Sequence, residues 1–162
     1  MRKSTLYLLL AALLATGVTG GWLVSRHGQV RRQPAVGFES DMTENLLRGI
    51  FVENAAANPA VCFLAFGEDR TAPDDAFIAR FAGSRPAVRS FQSSVMPPIG
   101  KILETASGKP GLLIQIVSFK ELITGTFDVV VTFSNLPPGH DRFTYRVTDL
   151  AGEWKIQSRK PA

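Results

Sequence analysis

The C-terminal third constrains the fold most. Four stretches, Leu112–Phe119, Thr126–Ser134, Phe143–Leu150 and Glu153–Arg159, are rich in β-branched and aromatic residues. Turn chemistry separates them: KELITG, NLPPGHDR and the turn at Gly152. Inside them, apolar and polar side chains alternate. Phe127, Val129, Val131 and Phe133 point one way, as do Phe143, Tyr145 and Val147, then Trp154 and Ile156. The other face carries Thr126, Asp128, Thr132, Thr144, Arg146, Thr148, Lys155 and Gln157. One apolar face and one polar face is the pattern of an antiparallel sheet. Such a sheet needs a cover on its apolar side.

Two helical stretches upstream supply it. Asp41, with Glu44 three residues on, has the form of an N-cap and its reciprocal acid. Met42, Leu46, Leu47, Ile50 and Phe51 then share a helical face, and Asn58-Pro59 is expected to end the helix. Thr71 and Pro73 open a second helix, Asp74 and Asp75 suit its positive N-terminal end, Phe77, Ile78 and Phe81 form its stripe, and Gly83 closes it. Between the two, Val61–Phe66 is a short continuous apolar run bounded by Pro59 and Gly67, which reads as a buried strand. Residues 84–110 give no single reading: Ala87–Phe91 has strand character, and Pro97-Pro98 forbids a central strand. The SGKPG after Ala106 reads as a hairpin-like turn. The expected fold is α+β, with two helices on one face of a mostly antiparallel C-terminal meander.

The N-terminus sets location. Thr5 to Val24 carries no charge, enough to cross a bilayer core as one helix, with Tyr7 and Trp22 near its ends. The competing reading is a secretory signal: Arg2 and Lys3, an apolar core over Leu6–Leu14, then small residues. Apolar residues resume in Trp22-Leu23-Val24, which a cleaved signal does not need, so a retained anchor is preferred. Either way the remainder is expected outside the cytoplasm. That gives three parts: a transmembrane segment or signal over 1–24, a basic linker over 25–37, and one domain over 38–162.

Charge follows the same division. The net +4 arises at the N-terminal end, where residues 1–37 hold five Lys/Arg and no acid. Residues 38–162 hold thirteen Lys/Arg against fourteen Asp/Glu. A nucleic-acid binder concentrates positive charge on its folded part, so that class is set aside. Cys62 is the only cysteine, so no intrachain disulfide or thiolate metal site is expected. Its setting, AVCFLAF, reads as core.

Candidates for chemistry are few. His27 lies in the linker, and His140-Asp141 lies in the PPGHDR turn, where solvated polar residues are the ordinary case. Asp128 alternates onto the polar face with Arg146 and Lys155 and reads as part of a cross-strand charge cluster. Asp128 and His140 are thus the candidate catalytic residues, each with a structural explanation. No metal set, no cofactor motif, no GxSxG and no phosphate loop is present.

The final hairpin, FTYRVTDLAGEWKIQSR, with its aromatic-x-aromatic strand, glycine turn and Trp-x-Ile return, resembles NTF2-like (SnoaL-like) domains. A cystatin-like single-helix sheet is the structural alternative. The resemblance implies helices followed by a curved antiparallel sheet, and a self-associating scaffold as one use. The functional expectation is a binding or assembly domain tethered outside a bacterial cytoplasmic membrane, contacting the bilayer through residues 5–24 and holding a protein partner or a second copy. The alternative is an NTF2-like enzyme or small-molecule binder, secreted or anchored.

Overall fold

The computed structural model describes residues 37–54, 59–98, 101–136 and 139–162, with the side chains of 135–140 left out. All belong to one unit, Pro34–Ala162. The apolar segment 5–24 and its anchor reading lie outside the described residues. Among those described, no helix is long and apolar enough to cross a membrane.

The chain is α+β, with a mostly antiparallel sheet. In order it forms α1 (Asp41–Glu53), β1 (Val61–Phe66), α2 (Asp75–Ala79), β2 (Ala87–Ser90), β3 (Ser94–Val95), β4 (Leu103–Glu104), β5 (Gly111–Ile123), β6 (Thr126–Leu136), β7 (Gly139–Leu150) and β8 (Glu153–Pro161). Six strands make one sheet in the order β2-β1-β5-β6-β7-β8. The meander from β5 to β8 is antiparallel, while β1 lies parallel to both β2 and β5. β1 is buried along its whole length. A continuous apolar run is what a strand covered on both faces requires.

Local chemistry corrects two boundaries. The N-cap of α1 is Ser40, not Asp41. The Ser40 backbone is extended, its hydroxyl accepts from the Thr43 amide at 3.3 Å, and Ser40 and Thr43 hydroxyls both donate to the Gly37 carbonyl. Glu44 pairs with Arg48 one turn on, at 2.9 Å, instead of closing a capping box. The helix also stops at Glu53, before Asn58-Pro59. Asn54 caps it, sending both its amide N–H and its side-chain Nδ2 to the Ile50 carbonyl. In α2, Asp74 is the cap and accepts from the Phe77 amide at 2.5 Å.

Both helices cover one sheet face, as the alternation demands. Met42, Leu46, Leu47, Ile50, Phe77 and Phe81 pack with Val129, Val131, Tyr145, Val147 and Trp154 in one cluster. α1 sits close on β8: a Cβ on Gly49 would stand 2.6 Å from Ile156 Cδ1. The opposite face is not wholly solvated. At its β1 end, Val61, Phe63, Ala65 and Leu113 form a second cluster under Ile102, Phe91 and Met96. Phe91, Met96 and Ile102, from a stretch that has no single reading in the sequence, cover that cluster. The β3–β4 pair of that stretch leads into the expected turn, where Gly108 takes a φ of +66°.

Candidate functional site

The site is made by a slip in the β7–β8 register. Val147 pairs with Ile156, but Arg146 pairs with Ser158, so Gln157 is an extra residue, a β-bulge. Strict alternation carries Gln157, and Arg159 with it, to the polar face. The bulge reverses the phase, and Arg159 falls opposite Tyr145 on the helix-covered face. Its guanidinium lies over the Phe143 ring, 3.7 Å from the centroid, and 5.7 Å from that of Tyr145. No sequence pattern marks this residue, because a bulge is a property of the paired strands.

Arg159 stands at the edge of an open cleft of about 190 Å³. The cleft lies between the C-terminal turn of α1, at Ile50 and Asn54, and the sheet end where β5 begins and β6 finishes. Leu112, Ile114, Phe133 and Phe143 give it apolar walls, and Asp141 is its one carboxylate. Phe133 and Phe143 meet edge to face at 6.0 Å. Leu112 also lines a second depression of about 410 Å³, with Lys101 and Lys109 on its walls. Among the described residues, Arg159 forms no ion pair. Beside it, the Tyr145 hydroxyl is buried and has no hydrogen-bond partner among the described residues. Burial pushes that phenol up to about 12, with Arg159 acting to lower it and Glu53 to raise it. Both charges therefore reach it, so Tyr145 lies close to the two elements that bound the cleft.

The sequence candidates fall elsewhere. Asp128 is on the polar face, held by Arg146 in a two-pronged pair, Nε–Oδ1 2.9 Å and Nη2–Oδ2 3.1 Å. The Arg146 hydrogen bonds hold its carboxyl below the usual range. It lines neither depression. His140 and Asp141 belong to β7 by their backbone, not to a turn, because β6 and β7 continue to pair as far as Leu136 with Gly139. The His140 side chain lies outside the described residues. Asp141, paired with Phe133, shares the phase of Phe143 and so reaches the cleft. Cys62 is buried, and desolvation pushes its thiol from 9.0 to about 12. Among the described residues, no three His, Cys, Asp or Glu are placed to hold a metal. The comparisons with protein-family models, curated proteins and solved structures find no match for this chain.

Proposed function

We propose that residues 38–162 are a binding domain held outside a bacterial cytoplasmic membrane by an anchor over residues 5–24, and that it holds a ligand or partner without turning it over. The observation that supports this is the state of the reactive groups. The thiol of Cys62 and the phenol of Tyr145 are kept neutral by burial, and Asp128 is tied to Arg146. Meanwhile, Arg159 stands at an apolar cleft and, among the described residues, forms no ion pair. Such an arrangement binds better than it reacts, since a nucleophile or base must present its active form to a substrate. The NTF2-like likeness of the last hairpin belongs to the same proposal and adds self-association as a use of the domain. An enzyme reading draws on one observation, the Asp141 carboxylate at the cleft.

Cell fractionation tests the placement. The full-length chain is expected in carbonate-washed membranes, and external protease is expected to digest the domain in spheroplasts but not in intact cells. A soluble product beginning near Val18 or Gly21 would overturn the anchor.

A further inference from the structure

We infer that the cleft at the sheet end binds a small amphipathic monocarboxylate, its carboxylate on Arg159 and its apolar part against Ile50, Leu112, Ile114 and Phe133. The inference rests on the binding-domain reading above and names the ligand class of that site.

Size comes first. About 190 Å³ is several times the roughly 30 Å³ of one liquid water, yet below the roughly 300–1,000 Å³ of sites that take drug-sized ligands. A compact organic acid fits that range. Charge comes next. Arg159 stacks on Phe143, which fixes the plane of the guanidinium, and a fixed planar fork suits the two oxygens of a carboxylate. Among the described residues it pairs with no carboxylate, so it offers one positive charge to one negative charge. Lys101 and Lys109 line the adjoining depression, so cations outnumber the single acid, Asp141, around Leu112. A cationic ligand meets repulsion there. A neutral apolar ligand leaves the guanidinium unused. The apolar walls do the remaining work, and they are half-buried or buried side chains of both sheet and helix.

The test uses the full-length chain in nanodiscs of zwitterionic lipid, or free in buffer if it proves soluble. The probe is 3-phenylpropionate, followed by ligand-detected NMR against empty nanodiscs. The expected result is one saturable site with a Kd on the order of 0.1–1 mM, as befits so few atoms. Arg159→Gln is expected to weaken binding about tenfold or more, from the loss of a charged hydrogen-bonded partner, and 3-phenylpropanol to bind as weakly to the unaltered chain. Leu112→Trp, which fills the cleft and keeps the cation, is expected to abolish binding. Arg159 is exposed, so its variant should melt with the parent chain. No saturable binding, tighter binding of 3-phenylpropylamine, or an unchanged Kd in either variant would overturn the proposal. None of these results touches the membrane placement, which fractionation decides separately.

Discussion

At the scale of single residues, burial has decided which groups are chemically quiet. Cys62 and Tyr145 are held neutral because an ionised form of either would place its charge in the core, out of reach of water. The unfolded chain releases these protons at about 9 and 10, whereas the folded chain keeps both to about 12. Their contribution is therefore fully present below pH about 9 and is lost as pH rises towards 12. Denaturant melts across that window are expected to show a steep alkaline fall, flattened in Cys62→Ala and in Tyr145→Phe. Tyr145→Phe carries a second expectation. It removes a buried hydroxyl that has no partner among the described residues, so stability at neutral pH should hold or rise by about 1 kcal/mol. A loss larger than that would mean the hydroxyl is engaged. Asp128 behaves in the opposite sense, since its paired carboxylate favours the folded state above its ordinary range and loses that advantage as pH falls.

Elements are fixed by where backbones come close. β1 and β5 run parallel with Val61 opposite Gly111. A Cβ at Gly111 would meet the Val61 carbonyl oxygen at 2.9 Å and the Phe63 ring at 2.5 Å. The first obstacle is backbone and the second a fully buried ring, so neither yields cheaply. Gly111→Ala is expected to cost about 1–3 kcal/mol, read as a lowered denaturation midpoint with an unchanged slope. Gly49, within α1, differs, because the obstacle there is the end of the flexible Ile156 side chain. The sequence shows the glycine at 111 only as part of a turn. Its role arises from the β1–β5 pairing, two segments about fifty residues apart.

Over the whole molecule, cover is uneven. The β1 end of the sheet is closed on both faces, by α1 and α2 on one side and by Phe91, Met96 and Ile102 on the other. The hairpin tips are bare, with Leu122, Ile123 and Leu150 exposed, and β8 is an open edge carrying a bulge, Lys155, Lys160 and Pro161. Those features discourage further strand pairing along that edge. Hydrogen exchange is expected to be slowest at residues 62–66 and 113–116, which are hydrogen-bonded between strands and sealed from water. It is expected to be fast at 121–125 and along β8. Uniform protection across the sheet would refute the two-sided burial of β1.

The sequence by itself determined the α+β class, the helix-covered face of the meander and the burial of Cys62. The first two follow from a local period, 2.0 or 3.6, that one strand or helix displays alone, and the third from the unbroken apolar run Val61–Phe66. It also put Asp128, Arg146 and Lys155 on one polar face by alternation, whereas the β6–β7 register chose Arg146 as the partner of Asp128 and Lys155 pairs with Glu153 instead. Tertiary structure decided the rest. The parallel joining of β1 to β5 depends on contacts between distant segments, and the cover over Phe63 comes from Phe91, Met96 and Ile102, in a stretch whose sequence gives competing readings. The cleft depends on one extra residue, Gln157, in one strand of a pair. A bulge shifts every later side chain to the other face, so Arg159 acquires its place from β7, not from its neighbours in sequence.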